Sequence, residues 1–183
     1  LERRWKGRRG RQIEWVAKSF RFGQNVTSRQ ITGKVELLVY AKGDEHTWNP
    51  LEIKVLSDRA TQYSDPRTKK RDTSRKYKHQ MPPGYRCPFD TWGVKGDDHF
   101  WGVIQGNNDE RRDGHKNQLP EVYLARIIEA WSNIDDIVCD PFGGSGTTAT
   151  VATALGRQAV TGDISETYVE SIIDRIRKGA VRV

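Results

Sequence analysis

Asp140-Pro141-Phe142-Gly143-Gly144-Ser145-Gly146-Thr147-Thr148 is the stretch that decides the fold. An apolar run, Ile137-Val-Cys-Asp140, leads into it. Thr147 to Leu155 leaves it with the composition of a helix that closes at Gly156. Glycines at such a junction let the backbone turn sharply and approach a ligand closely. The helix that follows begins with N–H groups that have no partner inside the helix. Gln158-Ala-Val-Thr-Gly-Asp163 reads as a second strand, and Asp163 lies 23 residues after Asp140. A right-handed crossover brings that acid beside the glycine bend, where a carboxylate can bind ribose hydroxyls.

The same reading extends outward. Ser165 is placed to cap the last helix, whose core face is Val169, Ile172, Ile173 and Ile176. Upstream, Pro120 suits the first position of a helix, and Leu124, Ile127, Ile128 and Trp131 then recur on one helical face. Ile134 to Asp140 reads as a turn into a short buried strand, with Cys139 as a small buried side chain. The order helix–strand–helix–strand–helix implies parallel strands with helical crossovers, an α/β doubly wound arrangement. Nearer the start, Gln12–Ala17 alternates like a strand, and Val35–Ala41 reads as a buried strand stopped by Lys42-Gly-Asp44. Ile53-Lys-Val55 is a third, short candidate, and residues 19–33 read as a loop.

Residues 58–118 show no sustained period, and a loop of this length inside a domain is usually functional or disordered. Residues 58–86 hold Arg59, Arg67, Lys69, Lys70, Arg71, Arg75, Lys76, Lys78 and Arg86, interleaved with Tyr63, Tyr77 and Tyr85. That mixture suits a surface that follows phosphates and stacks rings on bases, and equally a solvated loop. The whole chain of 183 residues has a formal charge of +7 and a sequence pI of about 9.5. A positive balance favours a polyanionic partner through counterion release. Cys87 and Cys139 are the two cysteines. They fit neither a disulfide framework nor a zinc site, and no metal site is expected. A reducing, cytoplasmic setting follows. No apolar run approaches the roughly 18 residues of a membrane span.

Gly144-Ser-Gly146-Thr-Thr-Ala149 also fits the dinucleotide pattern GxGxxG/A. Two features weigh against a nicotinamide site. A carboxylate at the strand tip, Asp140, repels a pyrophosphate and attracts an ammonium group. The lysine of an ATP phosphate loop is also missing.

Asp140 to Thr148 is similar to DPFxGSGTT, the cofactor motif of the N6-adenine/N4-cytosine DNA methyltransferase family. His115-Lys-Asn-Gln-Leu-Pro-Glu121 resembles the family's HPxQxPE segment, with Lys116 in place of its proline. Gly156-Arg157 resembles the GR after the second helix, and Asp163-Ile-Ser-Glu-Thr-Tyr168 resembles EIxxxY. Upstream, residues 13–16 and 35–42 look like two strands that precede the family's target-recognition segment. Tyr63–Arg67, Phe100-Trp101 and Glu110-Arg111-Arg112 resemble a prokaryotic and phage-associated branch.

The resemblance implies a Rossmann-like, S-adenosylmethionine-dependent methyltransferase fold: a parallel sheet flanked by helices, incomplete here, with a long irregular insertion. Its parts would be N-terminal strands over 1–57, a basic, target-recognition-like insertion over 58–114, and the S-adenosylmethionine-binding part over 115–183. It also implies that Asp140, Phe142, Gly144, Gly146 and Thr147 line the methionine and adenosine pocket. Asp163 would bind the ribose, and Asn117, Gln118 and Pro120 would lie near the cofactor's carboxylate. For Phe142 and Pro120, simple packing is the rival role. Double-stranded DNA is the implied partner, read through Arg67, Lys69, Lys70, Arg71, Arg75 and Lys76, with a second chain or a homo-oligomer as a further partner.

Such enzymes hold an extruded base with a (D/N/S)PP(Y/F/W) tetrapeptide, and none occurs here. Met81-Pro-Pro-Gly-Tyr85 fails the pattern, because Met81 is a poor acceptor and Gly84 displaces the ring. It reads as a turn. The sole methionine is Met81 and the sequence starts at Leu1, so the expectation is a piece of a longer frame with the catalytic strand upstream. The expected function is methyl transfer from S-adenosylmethionine to an exocyclic amine of adenine or cytosine in DNA. The missing tetrapeptide keeps open a non-catalytic module that binds DNA or a partner, and a dinucleotide-dependent oxidoreductase is the remaining rival.

Overall fold

The computed structural model describes residues 16–20, 34–42, 46–56, 81–82, 84–88, 91–92, 109–112, 115 and 117–183. The basic residues Arg67, Lys69, Lys70, Arg71, Arg75 and Lys76 lie outside the described residues, as do 12–15 and 21–33. The described elements are, in order, β1 (Val16–Phe20), β2 (Lys34–Leu38), β3 (Val55–Leu56), β4 (Tyr85–Arg86), β5 (Thr91–Trp92), α1 (Glu121–Trp131), β6 (Ile137–Asp140), α2 (Thr147–Ala154), β7 (Gln158–Thr161) and α3 (Glu166–Lys178). The class is α/β.

The centre of the C-terminal part is the unit β6–α2–β7. Its two strands run parallel in the register Ile137↔Gln158 to Asp140↔Thr161, as alternating strands and helices require. Helix α2 lies on both strands and touches α1 and α3. Its sequence, TTATVATA, has no wide apolar stripe. Small side chains all round let it sit close to several neighbours at once, so packing outweighs the weak helix propensity of threonine. Tyr123, Leu124, Ala125 and Ile128 of α1 join Val151 and Ala152 of α2 in the core, with Leu37, Val138 and Ala159 against them. Each large side chain buried there contributes roughly 1.5–3 kcal/mol.

Several local expectations change. Pro120 is the residue before α1, not its first turn, and it offers no side-chain cap. Glu110 supplies one from a distance: its Oε2 accepts the Glu121 N–H at 2.9 Å. The Ser165 hydroxyl caps nothing; the Ser165 N–H instead donates to Asp163 Oδ1 at 3.0 Å. On α3, Ile173 is 45% exposed, and the buried position goes to Arg175. Helical spacing explains this, because Arg175 stands three residues from the buried Ile172 and so shares its face.

The strands are less enclosed than expected. Ile137 is 65% exposed, Val160 is exposed, and Cys139 is exposed rather than buried. Helix α2 covers one face of β6 and β7, and the residues alternate across the pair. The expected strand 35–41 is shorter, since β2 ends at Leu38; Leu38 and, beyond it, Tyr40 are exposed. Residues 51–53 turn, leaving Ile53 buried, and the strand begins at Val55. Among the described residues the strands form three sets, β2–β1–β5, β3–β4 and β6–β7, of which β6–β7 is the parallel pair expected in the C-terminal part. β1 pairs antiparallel with β2 and parallel with β5. The stretch 58–114 is therefore not irregular throughout, since β4 and β5 lie within it. At Pro82–Tyr85 the Tyr85 N–H meets the Pro82 carbonyl at 3.1 Å around Gly84, φ 86°, which is the expected turn.

The N-terminal part is fastened to α1 by Asn49. Its backbone N–H donates to Ala130 O at 2.8 Å, and its side-chain amide donates to Ser132 O at 2.9 Å and Glu129 O at 3.2 Å. These carbonyls are among those a helix leaves unpaired at its C-terminal end. Trp48 lies beside Trp131, with ring centroids 5.2 Å apart.

Candidate functional site

The site forms where β6 and β7 end. Both strands stop at the same edge because Asp140 and Thr161 are in register. The chain then crosses over itself: Gly162 N–H donates to Asp140 O at 3.2 Å, and Gly143 N–H donates to Gly162 O at 2.8 Å. The bend is close-packed at Gly143: a Cβ there would press on the Thr161 hydroxyl and lie 2.8 Å from Ile172 Cδ1. Gly146 N–H closes the bend on Gly143 O at 2.8 Å, and α2 begins. Gly144 and Gly146 both adopt the left-handed region, with φ 50° and 75°.

Asp140 and Asp163 both lie at this edge, each bonded to the bend. Asp163 Oδ2 accepts the Gly144 N–H at 2.9 Å, while Oδ1 accepts the Ser165 N–H. These amides, that of Ser165 first, hold the Asp163 carboxyl below its usual range. A carboxylate has more acceptor positions than those two bonds fill, which leaves capacity for hydroxyl donors. Asp140 Oδ1 accepts the Phe142 N–H at 3.0 Å in a local turn. The Phe142 side chain is 86% exposed, at the rim.

His115 is the member that sequence reasoning left unassigned. A Cβ on Gly144 would stand 2.6 Å from its Nε2, so the ring lies directly on that glycine. Its other side faces Tyr168, with centroids 5.3 Å apart and planes tilted by 57°. Its Nδ1 is buried without a hydrogen-bond partner among the described residues. The signal was present, because His115 opens the segment whose later residues were singled out and Tyr168 ends the segment that Asp163 opens.

The remaining predicted residues divide between rim and interior. Asn117 is exposed. Gln118 is buried, and both ends of its amide hold the preceding segment: Oε1 accepts Arg112 N–H at 2.9 Å and Nε2 donates to Glu110 O at 2.5 Å. Pro120 is fully buried, the packing role. Thr147 also faces inward. Its Oγ1 bonds Arg175 Nη1 at 2.6 Å and lies 3.0 Å from Ser145 Oγ. With the Ser145 and Thr147 hydroxyls buried, what these two residues leave at the rim is backbone, beside the two carboxylates. Its chemistry is that of binding a ligand with hydroxyl and cationic groups. Among the described residues, no cluster of His, Cys, Asp and Glu could hold a metal, and no helix is long and apolar enough to cross a membrane.

Comparison with known proteins bears on what such a site holds. A family profile described as DNA methylase, of the N6/N4 type, matches residues 9–174. The type II methyltransferase M1.MboII of Moraxella bovis is 31% identical over 160 residues, covering 85% of this chain and 58% of that protein. The type II methyltransferase M.ScaI of Streptomyces caespitosus is 33% identical over 60% of this chain and 37% of its own length. The DNA adenine methyltransferase YhdJ of Escherichia coli is 45% identical over 35% of this chain and 22% of its own. The chain thus spans little more than half the length of the first of these relatives, and less of the others. The solved complex of M1.HpyAVI with SAM overlaps 34% of this chain and 32% of its own, with 32% identity and a TM-score of 0.33, too small an overlap to bear on the fold. The profile runs from before β1 to the middle of α3, and the chain belongs to the N6/N4 DNA methylase family.

Proposed function

We propose that this chain holds S-adenosylmethionine for methyl transfer to an exocyclic amine of adenine or cytosine in double-stranded DNA. The observation that carries this reading is the convergence of Asp140 and Asp163 on one glycine bend, with Asp163 bonded to the Gly144 N–H. The residues fit the donor. Asp163 has acceptor capacity for ribose hydroxyls. Asp140 supplies negative charge near the amino-acid end, and the exposed Phe142 ring offers a flat apolar face beside it. Asn117, at the rim, is within the segment that precedes α1 and serves the same end. Gly144 and Gly146 shape the bend, and Gln118, Pro120 and Thr147 support it from inside. When bound, the donor supplies a methyl group on a sulfonium, and these side chains bind and orient it.

Family membership supports DNA as the acceptor, and so does the excess of positive charge. The acceptor base needs its own pocket, which the (D/N/S)PP(Y/F/W) tetrapeptide forms in this family and which is not among the 183 residues. The proposed role of this chain is therefore the donor side of the reaction. Arg67, Lys69, Lys70, Arg71, Arg75 and Lys76 contribute to the DNA contact.

The test is calorimetric titration of the 183-residue chain with S-adenosylhomocysteine and, in parallel, with NAD. Saturable binding of the first and none of the second is expected. Binding of NAD alone overturns the proposal.

A further inference from the structure

Arg175 is 1% exposed and belongs to none of the motifs quoted above. Its guanidinium faces two ways. Nη2 meets Glu121 Oε1 at 2.9 Å, at the start of α1. Nη1 donates to the Ser145 carbonyl at 3.0 Å and to Thr147 Oγ1 at 2.6 Å, on either side of Gly146. One rigid fork therefore spans from the first helix to the glycine bend. Glu121 is itself held from behind, since its Oε2 accepts the N–H groups of Val181 at 2.7 Å and Arg182 at 2.9 Å. Arg182 Nε in turn pairs with Glu110 Oε1 at 3.0 Å, and Glu110 caps α1.

This arrangement bears on the bend directly. The Gly146 N–H is used within the turn, on Gly143 O. The Ser145 carbonyl faces the interior, where an unmet oxygen is costly. Arg175 meets it. The direction of the Ser145–Gly146 peptide, and with it the aim of the first N–H groups of α2, is set by where Glu121 holds the guanidinium. Glycines at 144 and 146 leave the bend little stiffness of its own, and a planar guanidinium fixes geometry in a way an ammonium does not.

We infer that Arg175 is a positioning residue for the donor, holding the glycine bend in its binding shape from inside the protein while touching no ligand. The inference rests on the donor reading above. Two variants test it in the 183-residue chain. Arg175→Lys keeps the charge and loses the fork. Thr147→Val removes an acceptor on the bend while leaving the Arg175–Glu121 pair. Hydrogen exchange without ligand and titration with S-adenosylhomocysteine are the readouts. Both variants are expected to keep the far-ultraviolet circular dichroism of the parent. Both should speed exchange locally over residues 143–148 and weaken S-adenosylhomocysteine by about tenfold or more, as the loss of a charge-assisted bond implies. Exchange that rises evenly over α1, β6 and α3, or unchanged affinity in both variants, overturns the positioning role. Failure of the unsubstituted chain to bind S-adenosylhomocysteine removes the donor reading and the positioning role together. Binding by the parent with unaltered variants removes the positioning role alone.

Discussion

Asp163 is charged at a point where backbone N–H groups converge, and that fixes how acid should act on it. Its folded pKa lies below the ordinary value of 3.8. A group of this kind adds stability above its unfolded pKa and loses it as pH falls through the folded pKa. The stability gap between the parent and Asp163→Asn should therefore be full at neutral pH and close progressively below about pH 4. Urea unfolding of both proteins across that range checks this; a gap that stays constant contradicts it. Glu110 has the opposite sign. Burial, its largest influence, raises its pKa, so its carboxyl favours the fold most at low pH and less as pH rises through the raised value. At this scale the sequence was legible where chemistry is local. The placement of Asp140 and Asp163 on one glycine bend follows from a strand, a bend and a crossover of known length. The inward turn of Thr147 and the internal bonds of Gln118 were not legible, because their partners, Arg175 and the 110–112 backbone, are distant in sequence or carry no motif.

At the scale of elements, helices were read more accurately than strands. Helices α1, α2 and α3 stand where periodicity and breakers put them, because a helix satisfies its backbone within one segment. Strand burial depends on what lies on each face, which no short segment specifies. That is why Cys139, Ile137 and Leu38 were expected inside and are exposed. Arg175 shows the converse: an arginine on an apolar helical face is a buried ion-pair candidate, and only its spacing from Ile172 hinted at it. Asn49 gives a test of how the elements are joined. Its side-chain amide holds the carbonyls of Glu129 and Ser132 at the end of α1. Asn49→Ala should cost about 1–2 kcal/mol and leave S-adenosylhomocysteine affinity unchanged, since Asn49 lies at the opposite end of α1 from the segment that meets the glycine bend. Paired urea and calorimetric titrations read both quantities, and an altered affinity would show that the fastening reaches the site.

On the scale of the whole molecule, charge and the share of the relatives' length matter most. The chain carries +7 and matches 58% of M1.MboII. The sequence set out the α/β class and the order of its C-terminal third. It did not show that β1 and β2 pair with β5, since strand pairing across long intervals leaves no local trace. If the basic segment touches DNA phosphates, replacing Lys69, Lys70 and Arg71 together by Ala should weaken binding to every sequence alike. It should also flatten the slope of log affinity against log salt by roughly 0.9 for each phosphate no longer neutralised. Fluorescence anisotropy on two unrelated duplexes over a salt series measures this, and an unaltered slope removes these side chains from the interface.

The most direct test of the central claim is a nitrogen–proton NMR titration of the chain with S-adenosylhomocysteine, followed amide by amide. The account predicts that the largest shifts fall on residues 142–147 and 162–165, and that Asp163→Asn weakens or abolishes them. Saturable shifts centred elsewhere, with Gly144 and Asp163 unmoved, would contradict it.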